Sequence, residues 1–129
     1  MSPGVLQALA VGVGAALGAL LRWQAALAFN RPGSTLPLGT LLVNCAGGLV
    51  IGALLVVFER SPNELARLLL VTGFLGGLTT FSAFSAESLA LLVHGDWQGA
   101  VWHTLAHVLG ALVCAALGWY IARTLLAWL

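Results

Sequence analysis

The sequence predicts an all-α membrane protein of four transmembrane helices, the third broken, paired as a dual-topology antiparallel homodimer. Three observations predict it. Of 129 residues, 60% are hydrophobic and 7% are charged, whereas soluble domains run at roughly a quarter charged. The apolar residues fall into four long spans separated by short polar breaks. The five arginines are split almost evenly between the two ends of those spans. Residues 1–129 therefore read as a single membrane domain.

The first span runs from about Gly4 to Phe29, interrupted by Arg22 and closed by the turn signals of Asn30-Arg31-Pro32-Gly33-Ser34. The second, Leu38 to Phe58, carries 21 residues without a charge. At 1.5 Å per residue that crosses a hydrocarbon core of roughly 30 Å. The third runs from about Leu65 to Val93, with Asn63 as its N-cap and Glu64 favourable beside it. The fourth, Gln98 to Leu126, follows His94-Gly95-Asp96. Arg22 and Arg123 lie near span ends, placed to snorkel, and Trp23, Trp97, Trp119 and Trp128 are placed as aromatic belts.

Gly14 and Gly18, Gly48 and Gly52, and Gly73 and Gly77 recur at four-residue spacing. Small residues so spaced let helices approach closely in lipid, which is the preferred account of the first pair. With the amino terminus inside, Arg60, Arg67 and Arg123 fall inside, and Arg22 and Arg31 outside. Three against two barely biases orientation under the positive-inside rule. Four helices also enclose a pathway poorly by themselves. Insertion in both orientations and antiparallel pairing answer both points, as a single-chain analogue of an inverted repeat.

Composition excludes several functions. A net charge of +1 without a basic tail or patch excludes a nucleic-acid partner. There is no catalytic triad pattern and no phosphate-cradling loop, so no enzyme is expected. The amino terminus lacks a charged n-region, so no secretory signal is expected. Cys45 and Cys114 read as small buried hydrophobes rather than as a disulfide or a metal site.

The chemistry concentrates in Gly73 to Glu87. Gly76-Gly77 before Thr79-Thr80 is poor helix material, since glycine costs about 1 kcal/mol relative to alanine. A break there frees carbonyls, hard ligands suited to a small cation, or else the glycines form a packing notch. Phe81 and Phe84 share a helical face, with Ser85 and Ser88 close by. Aromatic edges carry positive partial charge and suit an anion's path, although aromatics at this spacing also suit plain packing. The hydroxyls of Thr80, Ser82, Ser85 and Ser88 favour the anion. Asn44 in mid-span serves either an anion or an interhelical clasp. Glu87, an acid inside an apolar span, is a functional residue by default or else a partner for Arg22. His103 and His107, at i and i+4, lack a third metal ligand nearby in sequence and read as a polar stripe facing a wet vestibule.

These segments resemble the Fluc (CrcB) family of bacterial fluoride channels. The resemblance covers Gly14 to Trp23, Gly39-Thr40-Leu41-Leu42-Val43-Asn44, and Gly73 to Glu87. Its most specific part is Gly-Phe-x-Gly-Gly-x-Thr-Thr-Phe-Ser-x-Phe, which is no generic membrane pattern. The resemblance implies a passive fluoride channel in the bacterial inner membrane, which exports cytoplasmic fluoride and so reduces its toxicity. It also implies an antiparallel homodimer with two pathways and a structural, untransported sodium ion (Na+) at its centre. The carbonyls of Gly76 and Thr79 from each protomer would hold that ion. Phe81, Phe84, Asn44, Thr80 and Ser82 match pathway positions, and Glu87 and Arg22 match positions near the pore and its vestibule. His103, His107 and Ala111 stand where some members carry a Tyr and Ser hydroxyl track. The expectation there is that imidazoles replace hydroxyl donors and make flux pH-sensitive. The rival reading is a proton-coupled small multidrug or guanidinium exporter, which depends on a glutamate in helix one that this chain lacks.

Overall fold

A computed structural model describes residues 2–128, and among them four helices are long and apolar enough to cross a membrane. Helix α1 is Pro3–Phe29 and α2 is Leu38–Arg60. Helix α3 (residues 64–78) starts as α-helix at Glu64–Arg67, widens to a π-helix over Leu68–Leu75 and ends in the turn Gly76–Leu78. After a two-residue break, α4 is Phe81–Val93, and α5 is Trp97–Leu126. Asn63 caps α3 as expected, its Oδ1 accepting from the Ala66 N–H at 2.9 Å. Asp96 caps α5 in the same way, accepting from the Gly99 N–H. The chain is a multi-pass membrane protein.

Two close helix pairs make the bundle: α1 against α3, and α2 against α5. Glycine sets both approaches. A Cβ on Gly14 or Gly18 would strike the Phe74 backbone, with Leu69 also in the way of the first and Leu78 of the second. One on Gly77 would strike Ala15. The four-residue spacing of Gly14/Gly18 and Gly73/Gly77 thus brings two backbones into direct contact. Across the second pair, Gly48 and Gly52 meet the Ala111 and Ala115 carbonyls, and Gly118 meets Leu49. The Gly48/Gly52 pair therefore packs α2 on α5.

The buried core is small, comprising Val43, Leu75 and Leu78 with Ala25, Ile51, Leu54 and Phe74 packed around it. Most other large apolar side chains, such as Leu17, Leu42, Leu89 and Leu112, point outward. That is how a chain looks when its solvent is hydrocarbon, which is as apolar as leucine. At one end of the bundle the Arg60 guanidinium donates to the Leu126 carbonyl, and the Arg123 guanidinium lies 4.8 Å over the Trp119 ring. Trp97 and Trp128 are exposed near the ends, where belts are expected.

Candidate functional site: a clamped helix break

The third span breaks at Thr79 and Thr80, both extended (φ −82°, ψ 157° and φ −151°, ψ 116°). The glycines before them and the π-helix before those are both weak helix, and π segments concentrate at functional sites. In a continuous α-helix the Thr80 N–H would bond the Gly76 carbonyl, and the Ala83 N–H would bond the Thr79 carbonyl. Here the Thr80 N–H goes instead to Asn44 Oδ1 at 2.8 Å. The Ala83 N–H goes to Thr80 Oγ1 at 3.0 Å, which caps α4. The break therefore takes the helical donors from four carbonyls, those of Gly76, Gly77, Leu78 and Thr79.

Asn44 is the clamp. A backbone N–H can only donate, so its Oδ1 must face Thr80 N and its Nδ2 must face the other way. Nδ2 then donates to the Thr80 carbonyl at 3.2 Å and to His107 Nδ1 at 3.3 Å. That assignment leaves the His107 proton on Nε2, a buried atom without a partner among the described residues. Of the readings open for Asn44, the clasp is realised, and its partner is irregular backbone.

A second network starts at the loop end. Asn30 Oδ1 accepts from the Gly39 and Thr40 N–H groups, and its Nδ2 donates to Thr40 Oγ1. Thr40 Oγ1 donates to Glu87 Oε1 at 2.6 Å, while Glu87 Oε2 lies 3.2 Å from His103 Nε2. Ser88 Oγ is 3.0 Å from His103 Nδ1. Phe84 joins the two networks: it stacks on His103 (centroids 5.4 Å apart), tilts against His107 (5.2 Å) and against Phe81 (5.3 Å). Offset stacks of this kind are favourable arrangements for aromatic faces.

Asn44, Gly76, Thr79, Thr80, Phe81, Phe84 and His107 all line one open groove of about 500 Å³. Within it Gly76 is exposed and Phe81 is 78% exposed, both near the middle of the third span. Arg22 faces a separate hollow of about 300 Å³, shared with Thr40 and Thr80. Ser82 Oγ lies 3.1 Å from Thr80 Oγ1, and Ser85 spends its hydroxyl proton on the Phe81 carbonyl.

Three expectations are corrected. Glu87 does not pair with Arg22, because Thr40 and His103 take both of its oxygens and Arg22 Nε is buried without a partner among the described residues. His103 does not face a wet vestibule: it is 1% exposed, enclosed by Phe84, Glu87 and Ser88, whereas His107, 4% exposed, borders the open groove. A third potential ligand does lie near the two histidines, since Glu87, distant in sequence, is brought to them by the α4–α5 packing. Sequence reasoning also passed over Thr40 and Asn30. Thr40 stands four residues before Asn44, on the same helical face, and that spacing was the available signal.

The model of the family described as CrcB-like protein, Camphor Resistance (CrcB), matches residues 9–119. This chain belongs to the CrcB family. CrcB relatives named fluoride-specific ion channel FluC align over nearly its whole length. The one from Cupriavidus pinatubonensis is 48% identical over 124 residues, 95% of this chain and 98% of that protein. Those from Aromatoleum aromaticum and Pseudomonas aeruginosa are each 50% identical, covering 86% and 85% of this chain and 86% and 88% of their own. The expectation that the chain is no enzyme agrees with relatives that carry the name of an ion channel.

Proposed function

We propose that the protein is a fluoride-selective passive ion channel that releases cytoplasmic fluoride and so limits its toxicity. The observation that carries the reading is the clamped break: irregular backbone midway along a membrane-length span, held open by Asn44 and bordering the exposed Phe81 and the half-buried Phe84. Such backbone survives in a bilayer only where protein buries it or an aqueous cavity meets it. A groove exposing Gly76 and Phe81 to lipid satisfies neither condition, which supports a second copy as its cover. With nearly balanced arginines, that copy inserts in the opposite orientation, in the bacterial inner membrane.

In the pair, Phe81 and Phe84 present ring edges to the anion, and the Thr80/Ser82 hydroxyl pair supplies a proton not already committed. Weak donors of this kind allow an ion to enter and also to leave. Asn44 acts by position, holding the Thr80 backbone. The Gly76 and Thr79 carbonyls, relieved of helical donors, are hard oxygen ligands fit for a sodium ion shared between two copies. Such an ion would supply fixed positive charge and tie the protomers together.

The proton-coupled exporter reading is weaker, because α1 carries no carboxylate and the partly buried acid, Glu87, is held between Thr40 and His103. A non-transporting assembly subunit is the reading left if reconstituted protein passes nothing. Purified protein in liposomes is expected to pass fluoride electrogenically, exclude chloride and ignore cationic drugs. Equal chloride and fluoride flux would defeat the proposal.

A further inference from the structure

We propose that Glu87, His103 and His107 form a binding site for a divalent transition metal such as Zn²⁺ within each protomer, and that its occupation obstructs the path beside Phe84. One ligand atom from each residue lies within 4.8 Å of the others. Glu87 Oε2 and His103 Nε2 are 3.2 Å apart. In tetrahedral zinc with bonds of about 2.0–2.1 Å, neighbouring ligands stand roughly 3.3 Å apart. The pair is already at ligand spacing.

His107 supplies the independent observation. It is 4% exposed, and its Nε2 has no hydrogen-bond partner among the described residues. A buried, unmet imidazole nitrogen is costly unless something completes it. Two of the three ligands also have an outer partner: Ser88 behind His103 and Thr40 behind Glu87. Metal-binding side chains are oriented by such contacts. On binding, each imidazole proton moves from Nε2 to Nδ1, so none is lost from the rings. At His103 the new Nδ1–H donates to Ser88 Oγ; at His107 the 3.3 Å contact with Asn44 Nδ2 must lengthen. Two imidazoles and one carboxylate suit zinc, nickel or copper and not magnesium or calcium. Glu87 also borders a hollow of about 420 Å³ shared with His94 and Asp96, where two carboxylates draw a cation inward from the loop end.

Zn²⁺ titration of the purified chain against a chromophoric chelator tests binding without any need for flux. One Zn²⁺ per chain is expected, weakened at least tenfold in His103→Gln and His107→Gln, which keep buried polar volume, and unchanged in His94→Ala. Wild type binding no better than the two glutamine variants, with all three monodisperse, would overturn the site. The obstruction rests on the fluoride-channel reading and is measured separately as Zn²⁺ slowing fluoride efflux in wild type but not in His107→Gln. Unaltered efflux with zinc bound would overturn the obstruction. A wild type that passes no fluoride, with zinc bound as expected, would overturn the channel reading and leave the site standing.

Discussion

Asn44 and Thr80 exchange two hydrogen bonds across helices: the Thr80 N–H donates to Asn44 Oδ1 at 2.8 Å, and Asn44 Nδ2 donates to the Thr80 carbonyl at 3.2 Å. Asn44 Oδ1 replaces the helical acceptor that the break takes from the Thr80 N–H, and its Nδ2 adds a second donor to a carbonyl that already starts α4. Thr80 is buried, so its backbone groups have no water to turn to.

Asn44→Ala strands the Thr80 N–H, while the Thr80 carbonyl keeps its place as first acceptor of α4. Each unmet buried backbone group costs about 1–3 kcal/mol. The expected outcome is a clear fall in thermal stability in detergent together with loss of most fluoride efflux. Asn44→Asp keeps the acceptor for Thr80 N–H and loses the donor, so its stability falls between the two. Equal stability of Asn44→Ala and wild type would show that the break does not depend on the clamp.

Gly18→Ala places a methyl group against the Phe74 and Leu78 backbone, which has no side chain to swing away. Forcing atoms into packed space costs about 1–3 kcal/mol. Gly12→Ala is the control, since nothing lies within 4 Å of its added Cβ. Melting midpoints measured side by side are expected to fall for Gly18→Ala and hold for Gly12→Ala.

Phe81 and Phe84 separate packing from passage. Phe84 touches Phe81, His103 and His107, whereas Phe81 is 78% exposed in a single chain. Phe84→Ile is expected to reduce both stability and fluoride efflux. Phe81→Ile is expected to cut efflux while size-exclusion chromatography still reports a folded dimer. Loss of the dimer in Phe81→Ile would assign the ring to packing.

Replacing sodium by an organic cation throughout purification is expected to lower the dimer's melting midpoint, and returning sodium to restore it. The Gly76 and Thr79 carbonyls are backbone atoms, so no side-chain substitution reproduces that loss. A midpoint indifferent to the cation would remove sodium from the proposal.

The long spans were legible in the sequence because length and apolar content alone decide them; only α2 runs on, through Glu59 and Arg60. The break was legible too, since Gly76-Gly77 and Thr79-Thr80 are poor helix in any setting. What escaped depends on which faces meet. Glu87 seemed free to reach Arg22, but its own helix presents it to Thr40 on α2 and His103 on α5. The π-helix at Leu68–Leu75 left no mark in an unremarkable apolar run; its signature, the Gly76 N–H reaching back to Val71, exists only in three dimensions.

Thr40 is the sharpest test of that hidden network. Its hydroxyl accepts from Asn30 Nδ2 at 3.3 Å and donates to Glu87 Oε1 at 2.6 Å, tying the α1–α2 turn to the partly buried acid. Hydrogen bonds to charged groups contribute about 1.5–3 kcal/mol. Thr40→Val keeps the shape and removes both bonds, leaving one carboxylate oxygen without a donor. Stability is expected to fall by about that amount, and fluoride efflux with it as Glu87 turns from His103. Thr40→Ser restores the hydroxyl and is expected to recover both. Recovery of neither by serine would mean that the methyl group's packing, and not the hydrogen-bond chain, is what Thr40 contributes.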